Sequence, residues 1–270
     1  MSDLIFQYLF YIGQLLLLTL GTIVICGLAV HLCAVLFARL SGSGSGAVFD
    51  VTSIIGTPVH ELGHAAMCIL FGHRITGMRL WNPHPDDGLY GYVEHSYNRR
   101  NPWASLGNLF IAVGPIFSGI GVMILMLWLC FPTQWSAYLD FSRSFAATGT
   151  TPAQLIPGVL SLLSSMFTGF GEDWIRSLLG IVVILTVSLH VSLSWLDIRS
   201  ALGAIPIYLV MVTLFAIVTG VLGLAPYITS TLWLLNLRTL SLFSIVIAFS
   251  AVWVLIALII RGVKALIGCF

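Results

Sequence analysis

Charge is what this sequence has least of. Asp, Glu, Lys and Arg together make 8% of its 270 residues, against about 25% in soluble globular chains. The 11 basic and 10 acidic side chains nearly cancel, so no basic surface remains for nucleic acid, and that class of partner is excluded. Paired cysteines are missing as well. Cys26, Cys33, Cys68, Cys130 and Cys269 lie mostly in apolar runs with no CxxC pair. They read as small core residues, not as a disulfide framework or a thiolate metal site. Nor does a basic segment precede the first apolar run, which starts after Met1-Ser2-Asp3. That run predicts a retained membrane helix and not a cleaved signal.

What is abundant is apolar surface: 59% of residues are hydrophobic and mean hydropathy is +1.04. The expected fold class is an all-α polytopic membrane protein, with the bilayer as its main solvent. Six stretches reach the ~20 apolar residues that cross a bilayer. They are Leu15–Phe37, Val48–Phe71, Leu106–Phe131, Ile175–Leu196, Ala201–Leu224 and Leu240–Ile260. The chain reads as a single membrane domain over 1–270, with a core region at about 48–200. Ser41 to Gly46, alternating Ser and Gly, reads as a short flexible connector.

Between the second and third spans the pattern changes. Ile75, Met78, Leu80 and Trp81 precede the turn-rich Asn82-Pro-His-Pro-Asp-Asp-Gly88, and the aromatic run Leu89 to Tyr97 follows. This predicts a β-hairpin over 74–98 at the membrane face. Pro132 to Asp173 reads as a long extramembrane or interfacial loop. Arg74, Arg79, Arg99, Arg100, Arg199, Arg261 and Lys264 fall on one side of such a layout, and Arg39, Arg143, Arg176 and Arg238 on the other. The positive-inside rule then puts the hairpin and both termini in the cytoplasm.

Chemistry concentrates in Thr57-Pro-Val-His60-Glu61-Leu-Gly-His64. Residues four apart share a helix face, so His60 and His64 can present two imidazoles to one metal. Glu61 stands beside the first of them, where a carboxylate can take a proton from water. Zinc in such a site lowers the pKa of a water towards ~7 and polarises a carbonyl. Ionisable side chains inside a membrane helix are costly, which marks the cluster as a candidate functional site. Pro58 is expected to bend the helix nearby, and Gly63 to allow a close approach. A third ligand is needed, and the fourth span offers His190 and Asp197. On one straight helix these two sit ~10 Å apart, so one zinc cannot use both without a helix break. Depth in a straight helix favours His190. His31 reads as a helix-packing residue, and His73, His84 and His95 as members of solvent-facing segments.

The pattern resembles the site-2 protease family of intramembrane zinc metalloproteases, in what looks like a divergent bacterial branch. Members carry HExxH on one membrane helix and an aspartate ligand in a Leu-Asp-Gly context on a later one. The matching positions here are His60, Glu61, His64 and Leu196-Asp197, with Ile198 where the family has Gly. Gly114-Pro115-Ile-Phe-Ser118 is similar to the family's Gly-Pro-x-x-Asn motif, with Ser for Asn. The family also has a membrane-associated β-region after the HExxH helix. The resemblance spans roughly Thr57 to Arg199, and no PDZ-like insertion is present.

The resemblance implies Zn2+ held by His60, His64 and Asp197, with Glu61 as catalytic base, while helix depth keeps His190 as a supporting or substitute ligand. It implies a hydrolase in the bacterial plasma membrane that cuts a membrane protein substrate near its cytoplasmic end. Two other readings stay open: a transporter or partner-binding protein with a structural metal, and a zinc hydrolase acting on a lipidic substrate.

Overall fold

A computed structural model describes residues 2–42, 44–83, 89–148, 155–168 and 173–267. The chain is a helical membrane protein, and its described residues include one two-stranded sheet. Ten α-helices are described: α1 (Ser2–Leu16), α2 (Thr22–Ser41), α3 (Gly44–Leu70), α4 (Pro102–Cys130), α5 (Pro132–Thr148), α6 (Leu155–Thr168), α7 (Trp174–His190), α8 (Trp195–Leu202), α9 (Ile205–Val221) and α10 (Ala225–Ile267). The strands are β1 (Arg74–Arg79) and β2 (Tyr92–Ser96).

Among the described residues, three helices are long and apolar enough to cross a membrane: Ile5–Ser41, Pro102–Cys130 and Ala225–Leu266. The first is continuous because a π-helical turn, Leu17–Gly21, joins α1 to α2 without a break. Both end helices therefore begin earlier than apolar density alone indicated at Leu15 and Leu240. The fourth expected span is a broken one. It divides into α7 and α8, bent by 51°. The 132–173 stretch, expected to be a loop, contains α5 and α6. Tyr138 and Ser142 of α5 both hydrogen-bond Ser241 of α10. The Ser/Gly connector is shorter than its composition suggested, since α3 already starts at Gly44 after a turn at Gly42 (φ 58°).

The ends pack by polar clasps inside an apolar setting. α2 and α10 run side by side in the same direction, because Asn236 meets Leu18 and Thr22 while Trp253 meets Phe37. α9 runs the opposite way along α1, with Tyr208 against Thr19 and Tyr11 against Thr219. Such side-chain bonds are worth about 0.6 kcal/mol each in a membrane interior. The main apolar core includes the fully buried Val30, Ile116, Ile184 and Val187, from α2, α4 and α7. Apolar side chains that face outward, such as Val210, Leu214, Phe215 and Val221 of α9, present a lipid-compatible surface.

Two glycines set the depth of the α3–α4 crossing. A Cβ on Gly63 would lie 2.5 Å from the Gly114 carbonyl oxygen, and one on Gly114 equally close to that of Gly63. The two backbones touch where HExxH lies. Small residues allow this approach, which any side chain would prevent.

The predicted hairpin is present, with Arg74 opposite Ser96, Arg79 opposite Tyr92, and a bulge between Ile75 and Gly77. It does not project beyond the end of α3; it lies back along that helix. At its base His73 packs over Cys68, through a helix end closed by Gly72 (φ 70°) and the bonds His73 N–H to Cys68 O and Gly72 N–H to Ile69 O. This is the Schellman arrangement, and it needs glycine at that turn. Towards its tip Trp81 donates to Ser53 and Tyr90 donates to Asp50, both on the first half of α3.

Gly63→Val should therefore force α3 and α4 apart. Thermal unfolding in detergent should show a loss of about 1–3 kcal/mol, the usual cost of overpacking. An unchanged midpoint would refute a backbone-to-backbone crossing.

Candidate metal centre

His60, Glu61, His64 and Asp197 line one cavity of about 440 Å³. The structure brings His60, His64 and Asp197 together: His64 Nε2 is 3.2 Å from His60 Nε2 and 3.2 Å from Asp197 Oδ1, and His60 Nε2 is 3.8 Å from Asp197 Oδ2. Zinc bonds of ~2.0–2.1 Å at tetrahedral angles put ligand atoms about 3.3 Å apart. The donor set and its spacing fit zinc.

Both histidines are aimed by backbone carbonyls that their own helices leave free. His64 Nδ1 donates to Ile111 O at 2.7 Å. In α4 the ordinary partner of that oxygen would be the N–H of residue 115, and Pro115 has none. His60 Nδ1 donates to His190 O at 2.8 Å. α7 ends at His190, so its last carbonyls lack helical donors. With Nδ1 engaged as a donor, each neutral ring keeps its lone pair on Nε2, turned towards the other ligands.

Asp197 arrives through the helix break. Ser194 caps α8: its Oγ accepts from the Asp197 N–H at 3.1 Å, and Asp197 Oδ2 accepts from the Ser194 N–H at 2.9 Å. This reciprocal capping box holds the carboxylate still, with Oδ1 turned to His64. The His190 ring takes another place. Its Nδ1 bonds Thr186 O at 3.2 Å and the ring stands edge-on to Phe49. A Cβ on Gly56 would fall 2.3 Å from that ring, so glycine there is what lets the side chain fit. His190 contributes its carbonyl to the site, and its imidazole is not with the ligand atoms.

Glu61 is buried, 6% exposed. The hairpin covers it at Gly91, where a Cβ would come within 2.9 Å of the Glu61 side chain and 2.7 Å of Thr57. Tyr92, Val93 and His95 extend this wall. Burial lowers the His95 pKa below its ordinary value, with His73 adding to the effect. The hydrogen bond to Asp50 pushes the Tyr90 phenol up to about 12. Ser118, matched to the family's Asn, faces elsewhere: its hydroxyl donates to Pro115 O and sits at the Gly63 crossing.

Parts of this site carry a local signal in the sequence. Ser194-Trp-Leu-Asp197 has the S-x-x-D form of a capping box, which signals a helix start inside the apolar stretch. Pro115, four residues after Ile111, marks a free carbonyl. His73 is buried, not solvent-facing, because the Gly72 turn folds it back onto α3. His84 lies outside the described residues. A larger cavity of about 1020 Å³, between α1 and the start of α10, is lined by residues such as Phe10, Leu17 and Trp233, without an acid or a histidine.

Compared with family models, with curated proteins and with solved structures, the chain matches none of them.

Restoring an N–H with Pro115→Ala should give Ile111 O a partner in its own helix and loosen its hold on His64. Zinc affinity, measured by chelator competition, should fall about 10–100-fold, as when an outer partner of a ligand is lost. Unchanged affinity would remove Pro115 from the site.

Proposed function

We propose that the chain is a zinc metalloendopeptidase of the site-2 protease type, hydrolysing peptide bonds of membrane-embedded proteins near the cytoplasmic side. The observation that carries this reading is the meeting of Asp197 with His60 and His64 across a broken helix, in the cavity that also holds Glu61. His60, His64 and Asp197 would hold the metal. Bound zinc supplies polarisation of the scissile carbonyl and acidification of a water molecule.

The chain's own groups do the rest. The Glu61 carboxylate takes a proton from the attacking water and returns it to the leaving amine. Ile111 O and His190 O keep the two imidazoles in one tautomer and orientation. Gly91 and its neighbours exclude bulk water from Glu61. A peptide bond in a helix is shielded by its own hydrogen bonds, so the substrate must be extended to be cut. Among the described residues the sheet has two strands, and residues of β2 line the cavity. An extended substrate can add to β2 as a third strand, the usual mode of edge recognition.

A cytoplasmic hairpin base belongs to the same proposal and rests on Arg74, Arg79, Arg99 and Arg100 beside it. α2 and α10 run in the same direction, so the two termini fall on opposite sides and not together in the cytoplasm. The donor geometry also suits a hydrolase acting on a lipidic substrate, but the strand edge beside Glu61 favours a peptide.

Glu61→Gln keeps the size of the side chain and cannot accept the proton. It should leave the metal content at the wild-type level and slow cleavage of a membrane substrate by about 10²–10⁴-fold. His60→Ala or His64→Ala should lose metal and activity together, and Asp197→Ala should lower metal occupancy more than His190→Ala. A Gln variant cleaving at the wild-type rate would sink the protease mechanism. The orientation has its own check. A cysteine placed at Asn98 should be shielded from a membrane-impermeant thiol reagent outside intact cells, and labelling there would invert the layout.

A further inference from the structure

Cys68, His73 and His95 form a second group of metal-ligand side chains, with one donor atom from each within 4.8 Å of the others. They come from three elements that meet at the base of the hairpin: the last turns of α3, the turn at Gly72, and β2. Cys68 is fully buried and His73 is 6% exposed.

His73 is held as His60 and His64 are held. Its Nε2 donates to Ala104 O at 2.7 Å, which leaves the lone pair of the neutral ring on Nδ1. That Nδ1 faces His95 Nδ1 at 2.9 Å. The ring stacks on Tyr97 with centroids 4.6 Å apart. Room for it is made by Gly107, where a Cβ would lie 2.8 Å from His73 Nε2. A buried imidazole pinned through one nitrogen to a carbonyl, with the other aimed at a second imidazole near a thiol, is a ligand geometry.

We propose that Cys68, His73 and His95 bind a second zinc ion, which fastens the hairpin to the end of α3. The reading goes beyond the proposed catalysis and does not depend on it. Zinc bonds of ~2.0–2.1 Å to nitrogen and ~2.3 Å to sulfur set ligand separations of about 3.3–3.6 Å, so the imidazoles part slightly and the thiol closes in. On binding, the Cys68 thiol releases its proton to solvent and its sulfur pair bonds the metal. His95 moves its ring proton to Nε2 and offers Nδ1. His95 also lines the catalytic cavity, which provides the path for the ion. One protein thiolate and two imidazoles suit zinc.

Cobalt(II) is the probe, because a thiolate ligand gives it an intense charge-transfer band that His and Asp ligands do not. Full-length protein in detergent, stripped by chelation and titrated with cobalt, should bind two ions per chain and show the band. Cys68→Ser should bind one ion and lose the band. His95→Gln, on the strand, should also drop to one ion, which guards against a folding defect at the buried cysteine. His64→Ala should lose one ion and keep the band, so failure of the catalytic centre and failure of this site are read separately. A wild-type protein without the band, or a band that survives Cys68→Ser, would overturn the second site.

Discussion

Two carbonyl oxygens without donors in their own helices orient the site, and the rest of the architecture can be understood from them. In an apolar surround, a polar group that lacks a protein partner lacks water too, at a cost of several kcal/mol. Ile111 O is freed by Pro115, and His190 O by the end of α7. Each interruption would be a defect in a uniform membrane helix. Here each meets an imidazole N–H that needs an acceptor, so two faults and two histidines, His64 buried and His60 half-buried, satisfy one another. The Gly63–Gly114 contact brings α3 near enough to α4 for the first of these bonds to form.

The break between α7 and α8 serves a second purpose. A straight helix from Trp174 to Leu202 would carry Asp197 past the histidines, about 10 Å along the axis from His190. The bend of 51° brings the carboxylate back, and the capping box with Ser194 keeps it there. Backbone geometry thus decides which of the two side chains stands beside His60 and His64, while side-chain chemistry alone would have allowed either.

Much of this was legible in the sequence, at different levels. His60, Glu61 and His64 announce themselves because four-residue spacing maps directly onto one helix face. The hairpin was legible because its aromatic and β-branched residues stand out against apolar helices. Helix limits were not. Apolar density marks where a segment can lie in lipid, whereas α1 and the first turns of α10 persist through less apolar residues by packing on each other and on α9. The lie of the hairpin along α3 depends on single long-range bonds, Trp81 to Ser53 and Tyr90 to Asp50, that leave no local pattern. The meeting of Cys68, His73 and His95 was hidden for the same reason. A cysteine without a CxxC partner and histidines in a polar segment look unrelated until the Gly72 turn superposes them.

The unpaired outer edge of β2 has a consequence for which segments would suit the proposed reaction. Among the described residues the sheet ends there, and backbone groups left bare in hydrocarbon are not tolerated. The edge must therefore be wetted or occupied. A segment competing with water for it gains backbone bonds of modest strength and must give up its own helix to do so. On the proposed reading, discrimination between targets then follows the ease with which each one uncoils locally, more than the identity of its side chains. Glycine or proline near the cytoplasmic end of a transmembrane segment would mark it for cutting, and a uniformly leucine-rich one would be spared.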